Sequence, residues 1–255
     1  MRAAVDAESA PPALRNVFVV TSGRRRIGSS TIAYQLAQTL AMDDKEVTLL
    51  DGDLERAGAT RLACGHDPPT KVLADVCAGT LTLAEVLRPV RNGLQIAPSA
   101  KLAADIHVAR GGARRIVAAV AQMARNQTAV VVDLAPGLSP WNLAWWQLAS
   151  TVCVVTTPDD GALVDTYAVV KQAAASDLVA KVRLVANRCK SSHDADCAHQ
   201  RIGQTCFRFL GELLPTPLAL PECDGKPERD EHFQGAVAGL ALQLGAARAS
   251  ELQAA

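Results

Sequence analysis

Eleven residues near the start of the chain, Thr21-Ser22-Gly23-Arg24-Arg25-Arg26-Ile27-Gly28-Ser29-Ser30-Thr31, hold the first chemistry that the sequence offers. Gly23, Gly28 and Ser30 stand at the spacing of the phosphate-cradling pattern G-x-x-x-x-G-K-[ST]. In such a loop, backbone N–H groups and the positive end of the following helix converge on an anion, and the hydroxyl after the lysine position serves Mg²⁺. Here the lysine position holds Ser29, which neither reaches nor neutralises a terminal phosphate. No lysine precedes Lys45, so no shift of register restores one. Three consecutive arginines lie inside the loop instead.

Carboxylates and an amide recur at the ends of apolar runs. Leu49-Leu50-Asp51-Gly52-Asp53 puts two carboxylates two residues apart, and Val130-Val131-Val132-Asp133-Leu134-Ala135-Pro136-Gly137 delivers a single one before a glycine. Leu184-Val185-Ala186 ends in Asn187-Arg188. Each of these is also compatible with an ordinary strand-end turn, where Asp and Asn are common. Their succession after a phosphate loop is what gives them weight.

The elements that must position these groups follow from hydrophobic patterning. Continuous Val- and Leu-rich runs predict strands over 17–21, 47–51, 129–133, 151–156 and 182–187, each covered on both faces. Helical patterns are expected over about 29–41, 112–125, 141–148, 161–175, 194–209 and 232–252, with a proline-rich loop and one short strand between 210 and 231. Phe233, Val237, Leu240, Leu244 and Ala247 fall on one face of the last helix. Strands alternating with helices predict a doubly wound, mostly parallel α/β sheet with helices on both faces. Residues 1–15 are read as a disordered Ala/Pro-rich leader, and 16–255 as one domain.

These motifs together resemble the MinD/ParA group of deviant Walker-motif P-loop ATPases. That resemblance implies ATP and Mg²⁺ as ligands. It makes Gly23, Arg24, Gly28, Ser29, Ser30 and Thr31 the nucleotide loop, with Arg24 at the group's signature-lysine position. Arg25 and Arg26 stand where the group has glycines, which permit φ > 0 and close backbone approach to phosphate. Asp53 is implied as the residue positioning the attacking water, with Asp51 as its neighbour in the switch region and a further candidate near the metal. Ser30 and Asp133 are implied for Mg²⁺, Asp133 in its outer shell, with Gly137 as the switch glycine and Asn187 with Arg188 on the adenine side. The stretch Val154-Val155-Thr156-Thr157-Pro158-Asp159-Asp160, followed by Asp165-Thr166-Tyr167-Ala168 and Lys171, is similar to the MinD-like flagellar-number regulators of the FlhG/FleN type.

The implied function is regulation of flagellar, or other polar-apparatus, number or placement through switch-dependent partner binding, with ATP hydrolysis weak or lost. A non-hydrolysing interaction protein of a flagellar or secretion assembly is the alternative that Ser29 favours. A ParA-type partition ATPase fits the Thr-Thr-Pro stretch less well. A tyrosine-autokinase domain would want a terminal tyrosine cluster, whereas the two tyrosines are Tyr34 and Tyr167.

The remaining composition narrows the classes. Lys+Arg and Asp+Glu balance at 26 each, against a basic nucleic-acid coat; the resemblance implies a protein partner, with a homodimer as a further candidate. Seven cysteines without a C-x-x-C pair point to a reducing cytoplasm. Cys189, His193 and Cys197 recur every four residues, a spacing that aligns soft ligands on one helix. Cys189, however, falls between the strand and the helix, and no zinc is expected. The last segment has Arg248 as its one Lys/Arg and reads as core packing, not as a membrane-surface helix. All three tryptophans lie within six residues. Trp141 and Trp145 share a helical face and Trp146 points away from it, so Trp141 and Trp145 are candidates for a partner or dimer surface as well as for the core.

Overall fold

A computed structural model describes residues 14–43, 45–91, 93–100, 110–223 and 225–253. In chain order its elements are β1 (Leu14–Ser22), α1 (Ser29–Leu40), β2 (Val47–Asp51), α2 (Gly58–Cys64), α3 (Leu73–Ala78), α4 (Leu83–Val86), β3 (Arg88–Arg91), β4 (Leu94–Ala97) and α5 (Arg110–Met123). They continue with β5 (Ala129–Asp133), α6 (Pro140–Leu148), β6 (Ala149–Thr156), α7 (Asp160–Ala174), β7 (Val182–Cys189), α8 (Ser192–Leu210), β8 (Leu218–Pro221) and α9 (Glu231–Gln253). The strands form one eight-stranded sheet in the order β3-β4-β2-β5-β1-β6-β7-β8, parallel throughout except where β3 runs against β4.

The inner strands are apolar on both faces because helices cover both. Val17, Val19, Val130, Val132, Val152 and Val154 face one cluster, completed by α5, α6, α7 and α8. Phe18, Val20, Val131, Cys153 and Val155 face the other, completed chiefly by α1 and α9. Burying each such side chain contributes about 1.5–3 kcal/mol, which is how a core poor in aromatics still outweighs the cost of ordering the chain. Phe233, Val237, Leu240 and Leu244 of α9 are buried there as the periodicity predicts, while Ala247 lies outside the described side chains. No described helix is long and apolar enough to cross a membrane.

Three expectations change. Leu14 and Arg15 already belong to β1, paired beside β6, so these two residues are not part of a disordered leader; residues 1–13 lie outside the described residues. Strands β3 and β4 are not marked by the hydrophobic pattern, because four residues each, one of them Arg-Pro-Val-Arg, carry no sustained apolar run. Pro89 is tolerated because β3 is the edge strand. Cys189 is the last residue of β7.

Candidate functional site

β1 lies between β5 and β6, so connections leaving the sheet at its carboxyl edge diverge to opposite sides of β1. A crevice opens at such a reversal of strand order. The loop from Gly23 to Gly28 emerges there and runs directly into α1.

The backbone of this loop accounts for its residues. A Cβ on Gly23 would lie 2.4 Å from the Asp165 carbonyl carbon, so the loop is pressed against the backbone of α7 and only glycine fits. Gly28 has φ +96° and packs against the Asn187 side chain, which a Cβ would meet at 2.5 Å. Asn187 is buried and donates its Nδ2 to the Ile27 carbonyl at 2.8 Å, pinning the loop to the end of β7. Arg26 occupies the left-handed region at φ 67°, a conformation that costs a non-glycine residue about 1 kcal/mol or more. Arg188, itself at φ 59°, donates Nη2 to the Arg26 carbonyl at 2.9 Å.

Two carboxylates stand side by side beneath the loop, since Asp51 and Asp133 are register partners on β2 and β5. Asp51 is fully buried; Oδ2 accepts from the Thr60 amide at 2.7 Å and Oδ1 from the Asp53 amide at 3.3 Å. Burial pushes its carboxyl up to about 6, opposed by the Thr60 hydrogen bonds and assisted by the Asp53 charge. Its geometry is that of an anchor for α2. Asp133 is also fully buried, yet neither carboxylate oxygen has a hydrogen-bond partner. Burial, and then the Asp51 charge, raise its carboxyl well above the usual range, opposed by the nearby Ser30 hydroxyl and Ala59 amide, which fall short of well-formed hydrogen bonds. A methyl placed on Gly58 would lie 2.5 Å from Ser30 Oγ and 3.8 Å from Asp133 Oδ2, so hydroxyl and carboxylate flank one spot. That pairing suits a hard cation held through oxygen and water. Asp133→Asn is therefore expected to stabilise the ligand-free protein, because it removes a buried carboxylate without a hydrogen-bond partner. It should also abolish any thermal shift produced by Mg²⁺ with nucleotide, as scanning calorimetry would show.

Ser29, Ser30, Thr31, Gly28 and the buried Asp53 line a cleft of about 380 Å³ together with Arg25, Arg26, Arg56, Arg61 and Arg188. Arg56 and Arg61 were not legible as site residues, because no motif marks them. Arg25 reaches across the loop to an ion pair with Glu55. Arg24 does not join this cleft. Its Nη1 lies 3.2 Å from Asp159 Oδ1 and its Nε 3.3 Å from Asp165 Oδ2, on the α7 side. Asp159 caps α7 through the Ala162 amide at 3.0 Å. Its carboxyl is held below the usual range by the Thr157 hydroxyl and that amide, and less by Arg24. The Thr-Thr-Pro-Asp stretch thus forms the receptor for Arg24.

Gly137 has φ +87°, and its carbonyl accepts from Asn142 Nδ2 at 2.7 Å. Asn142 also binds the Ala135 carbonyl at 2.8 Å, a buried clasp that sequence reading missed. Trp141 is half-buried and donates Nε1 to the Gly52 carbonyl at 3.0 Å, linking the segment after β5 to the one after β2. Trp145 is fully buried, and so is Trp146, which corrects the reading of Trp145 as a partner surface. Both rings belong to the core cluster that α6 shares with α5, α7 and the inner strands, which covers more of the helix than one face. His193 and Cys197 meet on α8 at 3.3 Å, but among the described residues no three His, Cys, Asp or Glu side chains converge as metal ligands.

A family model described as ParA, NUBPL iron-transfer P-loop NTPase, matches residues 13–201. Antiactivator FleN of Pseudomonas aeruginosa is 27% identical over 199 residues, covering 78% of this chain and 70% of FleN. Flagellum site-determining protein YlxH of Helicobacter pylori is 27% identical over 157 residues, covering 60% of this chain and 52% of YlxH. Among solved structures, the septum site-determining protein MinD of Pyrococcus horikoshii complexed with Mg-ADP superimposes with a TM-score of 0.71 at 20% identity, over 90% of this chain and 95% of that one. At that identity the likeness establishes the fold.

Proposed function

This chain belongs to the ParA family of P-loop NTPases, and from that membership we propose that it is a MinD-like regulator of flagellar number or placement that reads nucleotide state through the segments around the cleft. The observation that carries the reading is the likeness to an antiactivator and to a flagellum site-determining protein, within a family match over residues 13–201 that takes in the phosphate loop and the segments after β2 and β5. The site residues fit a nucleotide with Mg²⁺, because the unpartnered Asp133 carboxylate and the Ser30 hydroxyl flank one spot beside the loop. When bound, the metal ion supplies positive charge against phosphate oxygens. Ser30 would ligate it directly and Asp133 through water, while the amides at the start of α1 hold the phosphate. Asp53 would orient the attacking water. Arg188 and the remaining oxygen of Asn187 would meet the base, since Nδ2 is engaged by the loop.

The readout lies in residues 135–142. Gly137 gives that segment its backbone freedom, Asn142 clasps it, and Trp141 ties it to Gly52. A change at Asp53 therefore reaches the α6 surface through one hydrogen bond. A protein partner, or a second copy of this chain, would bind there. Deleting the encoding gene is expected to change the number or position of flagella counted by electron microscopy. The wild-type gene should restore the count, and an Asp133→Asn allele should not. Unaltered flagella in the deletion strain would overturn this reading. Ser29 favours one variant of it, an interaction protein that binds nucleotide without turning it over.

A further inference from the structure

We propose that Arg56 and Arg61, on the segment following β2, supply toward a polyphosphate chain the positive charge that Ser29 does not. The cleft would then bind polyphosphate without a loop lysine. The inference rests on the nucleotide reading for the ligand's source, but its chemistry is that of the phosphate chain alone.

Five arginines and one aspartate, Asp53, line the cleft that Ser29 shares. Two of the five already have partners, Arg25 in its ion pair with Glu55 and Arg188 through Nη2 to the Arg26 carbonyl. Arg26 is fixed in the left-handed region by the loop's own turn. Arg56 and Arg61 are exposed, and no carboxylate among the described residues pairs with them. Their backbone, in contrast, is anchored. The amides of Arg56 and Ala57 bind the Asp53 carbonyl at 3.2 and 2.9 Å, and Thr60 is tied to the buried Asp51. Two unneutralised guanidinium groups on an anchored backbone, lining the same cleft as a phosphate loop, form an anion receptor in which only the two side chains remain to be ordered. The unpartnered buried Asp133 beside Ser30 independently points to a ligand there, since it calls for a cation of the kind that accompanies polyphosphate. The inference concerns affinity and assigns neither arginine a part in hydrolysis.

The test is titration calorimetry of the full chain with two probes, Mg-ATP and inorganic tripolyphosphate. Wild type should bind both. Arg56→Gln/Arg61→Gln, verified as folded by its thermal melt, should bind both roughly tenfold more weakly or worse, with a shallower salt dependence. Adding Ser29→Lys to that variant should recover most of the loss, and Arg56→Lys/Arg61→Lys should retain most of the affinity. Unchanged binding by the Gln variant overturns the inference and leaves the nucleotide reading intact. Failure of Ser29→Lys to rescue overturns the substitution of arginine for lysine. Binding of tripolyphosphate without ATP overturns only the nucleotide reading, and binding of neither overturns both.

Discussion

ATP turnover by this chain is expected to lie on the order of a hundred- to a thousandfold below that of a relative with the loop lysine, about 3–4 kcal/mol in the barrier. The lysine of such a loop opposes charge that builds on the β- and γ-phosphate oxygens as the bond breaks, and Ser29 has no charge to offer. A second cation of the loop is out of reach as well. Arg24 keeps the charge but is turned onto Asp159 and Asp165, away from the cleft lined by Ser29 and Ser30. Arg25 and Arg26 thicken the loop, and Arg26 holds a strained left-handed backbone to preserve the turn. Steady-state phosphate release measured beside an intact relative checks the prediction. Ser29→Lys with Arg25→Gly and Arg26→Gly should raise both affinity and rate, because it restores the charge, frees the backbone and relieves the Arg26 strain. Robust turnover by the unmodified chain, abolished by Asp53→Ala, would show that the site works by another arrangement.

The second large effect concerns α6. Trp145→Ala or Trp146→Ala is expected to cost about 3–5 kcal/mol, since each removes a fully buried ring and leaves a cavity. For a chain of this size that corresponds to a fall in melting temperature of about 10 °C. Trp141→Phe should cost about 1–2 kcal/mol, because a smaller aromatic ring remains in a half-buried place while the hydrogen bond to the Gly52 carbonyl is lost. Its larger consequence should be functional, uncoupling the segments that follow β2 and β5. Thermal melts and sedimentation of the three variants separate the effects. If Trp145→Ala melted like wild type while losing self-association, the ring would belong to an interface and not to the core.

Much of the site was legible because its motifs are local. The order strand, loop, helix is a pattern within some thirty residues, and the carboxylates sit at the ends of apolar runs that periodicity alone marks as strands. The last residues of β2 and β5, Asp51 and Asp133, become neighbours as soon as those strands pair in parallel, which their two-sided hydrophobicity demands. The glycine positions were legible for the same reason, since a tight loop entering a helix restricts φ at set places.

The arginines were not legible in this way. A guanidinium sits at the end of a long, flexible side chain, so where its charge falls depends on which carboxylates lie within reach. For Arg24 that partner is Asp159, 135 residues away. For Arg25 it is Glu55, thirty residues away. Arg56 and Arg61 carry no motif, and only the anchoring of the segment after β2, through the Asp53 carbonyl and the Asp51–Thr60 hydrogen bond, brings them to the cleft that Ser29 lines. The tryptophans follow the same logic, because helical spacing says which rings share a face but not how many faces the surrounding core will cover. By itself the sequence determined the strand–loop–helix frame, the carboxylates beneath it and the missing lysine, since these depend on neighbours along the chain. The tertiary structure alone decided which charges meet, which stay free and which rings are buried, since those depend on groups brought together from opposite ends of it.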